Sequence, residues 1–453
     1  MKPNSLAARD IASVLHPQTN LKKHLDVGPN IITGADGVHI FDDSGNRFLD
    51  SGAGLWCTAL GYNSERIAKV AYDAMKELAY YQIFRHASHT PAIELSEKLL
   101  EISPVPMSKV MLQCSGSEAN DTAVKVVWYY WHGKGQPERR KIISRMGSYH
   151  GSTCVAVSLT GNPKYHSSFG LPFDGFLKVS RPNFYRDAEL GETEEVFAQR
   201  LADELEDLIL SEGPETVAAF WADPIQGNAG ALPPPAGYFE KIQKVLKKYG
   251  ILFVADEVIC GFGRTGNLWG TQTYDLKPDI ITCAKGLSAA MQPISAVLLN
   301  DMIFDVMVSE SDRIGAFVHG YTYAGHPVAC SVALEVLKIY EEMDIVGHVR
   351  SLEGRFLNIL DELSSHPIAA APGGAGLLGG FEIVADKEAR TSFPAEVDIA
   401  GRLDEAAQAE GLILRIASDR VAFSPPLIIS EPELDEMAEK THAAMDKVHR
   451  ALT

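Results

Sequence analysis

Between residues 109 and 299, short apolar runs recur with amphipathic stretches between them, and this alternation leaves the chain few architectures. Runs at 109–114, 141–145, 153–158, 217–222, 251–255, 279–283 and 294–299 read as buried strands. Segments 118–132, 194–211 and 237–249 read as the helices between them. A strand that is apolar at nearly every position, instead of at alternate ones, needs cover on both faces. The pattern therefore predicts an α/β fold, a mostly parallel sheet with helices on either side. Ligands of such sheets sit beyond the carboxyl ends of the strands.

The flanks follow another pattern. Segment 38–50, VHIFDDSGNRFLD, predicts a hairpin around a tight Asp-Ser-Gly-Asn turn, and 64–81 has helical periodicity. Past about residue 325, helices at 327–343 and 346–364 precede strands near 376–384 and 411–424 and a final helix over 431–451. Residues 182–193 and 228–237 read as loops. The expected organisation is a large domain over 58–325 and a smaller α+β domain over 326–453, joined by the N-terminal segment 1–57. A chain of 453 residues is long enough to require more than one minimal core.

Charge narrows the partners. A net charge of −18 with no basic stripe argues against nucleic acid and anionic membranes. No apolar run is long enough for a membrane span, and MKPNSLAARDIASVLHP lacks the apolar core of a secretory signal, so the cytoplasm is the expected compartment. Six cysteines without CxxC spacing read as reduced, buried thiols.

Two residues stand where the chemistry should be. Asp256 closes the run ILFVADEV, and Lys285 follows the run PDIITCAKG. Asp256 with Glu257 is an acidic pair of the kind that holds metals, but no histidine cluster or third carboxylate lies at ligand spacing, and no metal is expected. Lys285 alone also reads as a rim lysine. The segment CSGSEAND (114–121) follows one strand and opens a helix; it reads as a phosphate cradle at Gly116 and Ser117 or as a plain cap. In GSYHG (147–151), Tyr149 is placed to stack on a ring or to close a surface turn. Literal GxGxxG matches at Gly261, Gly263, Gly266 and at Gly374, Gly376, Gly379 lack the strand–turn–helix context of a dinucleotide site. One cofactor uses a lysine amine and a strand-end acid together: pyridoxal 5'-phosphate bonds to the amine and sets its ring nitrogen against the acid.

In this order the segments GLWCTALGY (54–62), SGSEAN (115–120), SYHG (148–151), DPIQG (223–227), ADEVICGFGRTG (255–266), PDIITCAKGLS (278–288), HGYTYAGHP (319–327) and RIASDRVAFSPPLI (415–428) resemble the class III (subgroup II) pyridoxal-phosphate aminotransferases, and among them the ω-transaminases. The resemblance covers most of the chain and implies a fold type I enzyme. It implies that Lys285 binds the cofactor covalently and later moves the proton, that Asp256 pairs with the ring nitrogen, and that Val258 and Tyr149 cover the two ring faces. Gly116 and Ser117 would hold the phosphate, with Thr322 reaching the phosphate of a neighbouring subunit in a homodimer or a tetramer. Asp223 would approach the cofactor, though the family's usual residue there is a glutamate, one methylene longer. Trp56, Phe84 and Tyr149 would line the amine pocket, and Arg415 would grip the acceptor's carboxylate. The implied reaction moves an amino group from a primary amine or ω-amino acid to a keto acid, pyruvate foremost, in ping-pong order. A pyridoxal-phosphate isomerase or decarboxylase of the same fold is the alternative. Ornithine and 4-aminobutyrate aminotransferases carry a glutamate where this chain has Asn228 and a glutamine where it has Ile259, which points to the amine–pyruvate branch. Arg85 departs from the aromatic residue of many amine transaminases. It is expected either to grip a distal carboxylate of the donor or to pair with a structural carboxylate.

Overall fold

The computed structural model describes residues 4–417 and 419–452; Ser418, inside the last motif, lies outside them. Seven strands form the central sheet: β1 Lys109–Gln113, β2 Lys141–Arg145, β3 Phe176–Val179, β4 Val217–Ala222, β5 Leu252–Asp256, β6 Ile280–Cys283 and β7 Ser295–Leu299. Their order is β1-β7-β6-β5-β4-β2-β3. Pairings from β3 through β6 are parallel, whereas β7 runs antiparallel to both β1 and β6. Every residue of β4, β5, β6 and β7 is buried, which is why these runs lack the alternation of a half-exposed strand.

The apolar run at 153–158 is not a strand. It forms the helix Cys154–Leu159, and β3, shorter and missed by periodicity, takes the sheet edge. Apolar runs of this length do not separate helix from strand. The decision is tertiary: the Asp121 carboxylate accepts from Thr153 Oγ1 at 2.7 Å and from Ala156 N at 2.8 Å, which satisfies a free first-turn N–H. Helices Thr90–Glu101, Asp301–Ile314 and Ile399–Ala409 were also not legible, and the expected loop at 182–193 contains a helical turn, Phe184–Asp187.

The hairpin strands His39–Asp42 and Arg47–Asp50 share a sheet with Leu412–Ile413, which pairs parallel to Arg47–Asp50. A second four-stranded sheet joins Ala369–Ala375, Leu378–Ile383, Arg415–Ala417 and Arg420–Phe423. Here Gly374 and Gly379 lie directly opposite each other, so this glycine motif is a close strand pairing. One apolar core runs from Leu112, Ile281 and Leu298 of the central sheet to Leu49, Phe356, Phe423 and Met445. Across the same boundary, buried Glu382 takes Arg186 at 2.8 Å, Arg420 at 3.1 Å and Asn183 at 2.9 Å. Of the six free cysteines only Cys260, Cys283 and Cys330 are buried; Cys57 and Cys114 are partly exposed and Cys154 is exposed at a helix start. Among the described residues no helix is long and apolar enough to cross a membrane.

Candidate active site

The carboxyl ends of β5 and β6 meet the start of the helix Gly116–Gly133, and this junction sets the site. Asp256 ends β5 and is 3% exposed. Its Oδ2 accepts from Asn120 Nδ2 at 2.9 Å and from His150 Nδ1 at 2.7 Å, and its Oδ1 from Val258 N at 3.0 Å. Three donors satisfy a carboxylate that burial would otherwise penalise. Asn120 is held in turn: its Oδ1 accepts from Trp221 Nε1 at 3.2 Å and Thr282 Oγ1 at 3.0 Å. His150 is buried, with Nε2 unpartnered among the described residues.

Lys285 opens the turn after β6 with φ 48°, in the left-handed region that side chains disfavour. Burial lowers its amine pKa, an effect that nearby Asp256 opposes in part. A lowered pKa leaves more of the amine as the free nucleophile. Tyr340 Oη donates to Gly286 O at 2.7 Å and fixes the same turn.

Opposite these residues, Ser115 caps the helix by accepting from Glu118 N at 3.2 Å, and Glu118 accepts from Cys114 N at 2.7 Å. The helix N-terminus therefore opens into the cavity at Gly116 and Ser117. Space there is tight: a Cβ on Gly116 would stand 3.1 Å from Val258 Cγ1. Gly151, at φ 145°, would set a Cβ 2.7 Å from both Ser117 Oγ and Ala156 Cβ. Ser117 Oγ accepts from Ser152 N at 3.0 Å.

A cavity of about 450 Å³ adjoins this cradle, sharing Tyr149, Ile259 and Lys285 with it. Its walls include Trp56, Tyr165, Asn228 and Arg415, and its rim Pro17 and Gln18. The Arg415 guanidinium lies 5.6 Å from the centre of the Trp56 ring. Arg415 Nε and Trp56 Nε1 are both buried without hydrogen-bond partners among the described residues. Trp56 has φ 64°, and Asp50 pins the turn that precedes it, its carboxylate accepting from Gly52 N at 2.9 Å, Gly54 N at 2.6 Å and Tyr62 Oη at 2.6 Å.

The remaining expected site residues lie as follows within this chain. Asp223 lines the cradle, but its carboxylate is engaged: Oδ1 lies 2.7 Å from buried Arg145 and Oδ2 accepts from Gly227 N at 3.2 Å. Phe84 and Arg85 do not share the Lys285 cavity within this chain. They line a separate cavity of about 590 Å³ with His319 and Gly320, because segment 80–87 lies along the surface beside 317–324. Thr322 belongs to the same exposed region, its carbonyl accepting from Tyr80 Oη at 2.7 Å. Arg85 is exposed and makes no ion pair among the described residues. Glu257 turns away from Asp256 and accepts from Gly270 N at 3.0 Å and from Thr271 N, while burial pushes its pKa up to about 7. Asn120, His150, Arg145 and Tyr165 received no role from the sequence. The first two stood inside SGSEAN and SYHG, but nothing in the chain order ties them to Asp256.

Comparison with known proteins agrees with this geometry. Residues 22–445 match the family model for aminotransferase class-III. The chain is 44% identical over 448 residues to γ-aminobutyrate transaminase 3, chloroplastic, of Solanum lycopersicum, covering 98% of this chain and 86% of the relative. The crystal structure of the ω-transaminase of Pseudomonas jessenii in complex with PMP superposes with a TM-score of 0.97 at 46% identity, covering 99% of each chain. A transaminase solved with L-alanine superposes with a TM-score of 0.92 at 46% identity over 93% of this chain and all of that one.

Proposed function

Because this chain belongs to the class-III aminotransferases, we propose that it moves the amino group of a primary amine or ω-amino acid to pyruvate at the cavity floored by Lys285. One observation carries the assignment: a desolvated lysine amine and a fully hydrogen-bonded buried carboxylate line one cavity beside a glycine-lined helix N-terminus. The residues fit pyridoxal 5'-phosphate. Asp256 suits a cationic ring nitrogen, Gly116 and Ser117 suit a phosphate, and the bare Cα of Gly116 leaves Val258 free for one ring face with Tyr149 for the other.

When bound, the cofactor supplies an aldehyde for amine capture and an electron-withdrawing ring that eases loss of the proton from the substrate carbon. Lys285 Nζ, whose pKa burial lowers, would accept that proton and return it to the adjacent position. Asn120 and His150 fix the direction of Asp256, so its charge needs no reorganisation during the reaction. Trp56 limits the size of the amine's substituent, and Arg415 offers its guanidinium to the acceptor's carboxylate.

The names of the relatives bear on the donor. The curated relatives compared include γ-aminobutyrate transaminases, while Asn228 and Ile259 stand where the sequence pattern points to the amine–pyruvate branch. A donor carrying a distal carboxylate, with pyruvate as acceptor, satisfies both. A relative engineered for bulky amines carries replacements at a tryptophan, a phenylalanine and an arginine, the residue types at Trp56, Phe84 and Arg415 here. Tyr80, Tyr81, Phe84, Val318 and Tyr323 are exposed together, an apolar face that favours a homodimer in which Phe84, Arg85 and Thr322 complete the partner's site. We place the domain limits at 57 and 325 and the enzyme in the cytosol, a compartment that suits six unpaired cysteines.

The test is the half-reaction. Purified holoenzyme given γ-aminobutyrate, β-alanine or 1-phenylethylamine without acceptor should release the carbonyl product and one equivalent of pyridoxamine phosphate per site. Release of carbon dioxide, or of an isomer with no pyridoxamine phosphate, would indicate a decarboxylase or isomerase instead. In the same panel, Arg85→Phe should lower turnover of ω-amino acids relative to plain amines about 10-fold; an unchanged ratio assigns Arg85 no part in donor choice.

A further inference from the structure

Ahead of the hairpin, the short helices Leu6–Ser13 and Leu21–Val27 meet through one polar cluster. Asp10 Oδ1 lies 2.9 Å from His16 Nε2 and 3.2 Å from His24 Nε2, and the two imidazole rings are 4.3 Å apart between centres. All three donor atoms fall within 4.8 Å of one another. The side chains are 16%, 30% and 11% exposed respectively, so the cluster is shielded but reachable from a groove lined by Thr19, Asn20 and Lys23.

We propose that Asp10, His16 and His24 form a site for one divalent transition ion of the zinc type. A tetrahedral ion about 2.0–2.1 Å from each ligand sets its ligands about 3.3 Å apart, close to the carboxylate–imidazole separations already present. Two imidazoles and a single carboxylate suit Zn²⁺, Co²⁺ or Ni²⁺, whereas Ca²⁺ and Mg²⁺ need sets of oxygen ligands. Each imidazole binds through Nε2 with its proton on Nδ1, so neutral rings change tautomer and release no proton. The fourth position faces the groove and takes water. Lys23 is the opposing cation in that groove, set against a net charge of −18 for the chain.

The site matters because of what it encloses. Asp10 and His24 bracket the connecting segment that carries Pro17 and Gln18, both at the rim of the cavity above Lys285. Gln18 Oε1 accepts from Tyr165 Oη at 3.2 Å, and Tyr165 lines that same cavity. An ion bridging Asp10, His16 and His24 closes this segment into a loop and holds it over the mouth of the site.

The experiment uses tag-free holoenzyme stripped with chelator, then titrated with Co²⁺ and, separately, dialysed against Zn²⁺ for metal analysis. One ion per chain is expected, with visible d–d absorption for Co²⁺. Binding should weaken at least 10-fold in Asp10→Asn, His16→Gln and His24→Gln, and persist in Cys154→Ser, which removes the exposed thiol. Limited proteolysis within segment 14–20 should slow on adding Zn²⁺ to the wild type and not to His24→Gln. Uptake well below one ion per chain, binding that survives the His16→Gln/His24→Gln pair, or binding lost in Cys154→Ser would overturn the site. Cleavage indifferent to Zn²⁺ would overturn its role as a clip.

Discussion

Asp256 is only as effective as the two side chains that aim it. His150 and Asn120 each give it a hydrogen bond in a buried setting, where a bond to a charged group is worth about 1.5–3 kcal/mol. His150→Ala should therefore weaken cofactor retention and lower kcat/KM by roughly 10- to 100-fold with little change in fold. Equilibrium dialysis of the cofactor beside circular dichroism checks this; full retention would mean that Asn120 and Val258 N suffice. Its neighbour Glu257 gives a pH signature. Folded, this carboxyl titrates at about 7 against an ordinary 4.5, because burial disfavours the charge. Between those pH values the folded state holds the proton that the unfolded state releases. Stability thus falls as pH rises from about 4.5 to 7, by at most about 1.4 kcal/mol per pH unit from this group. Denaturant midpoints across that window should show wild type declining relative to Glu257→Gln; parallel curves would refute the assignment.

Elements carry these residues to their places, and the DPIQG turn matters most. The DPIQG turn is tied down by the Arg145–Asp223 pair, and Gly227 at its end packs on the Trp56 ring. Any Cβ at Gly227 would overlap that ring, so Gly227→Ala should displace Trp56. We expect cofactor binding to remain and the ratio of bulky to small amine turnover to change about 10-fold, as measured on a donor panel. The same element shows what periodicity can carry. β4, β5 and β6 were legible because both faces are buried, whereas the helix Cys154–Leu159 passed for a strand because a six-residue apolar run has no period of its own.

At the scale of the whole molecule, one chain holds Lys285, Asp256, Trp56 and Arg415 together but leaves Phe84, Arg85 and Thr322 on an exposed face. If a second copy covers that face, two defective chains should repair each other. Mixing Lys285→Ala with Thr322→Ala protomers should restore one intact site per heterodimer, with cofactor affinity near wild type in that site. Mixed samples no better than the sum of the parents would refute the shared site. The sequence by itself determined the buried strands β4 to β7 and placed Asp256 and Lys285 at strand ends, because burial on both faces and a charged residue at a strand end leave local marks. It also carried Asn120 and His150 within recognisable motifs, without their purpose. Only the tertiary structure decided that these two hold Asp256, that Asp223 serves Arg145, that Glu257 faces away, and that Phe84 and Arg85 stand apart from Lys285. The first two depend on hydrogen bonds between residues 78 to 136 positions apart, and no local pattern encodes such distances.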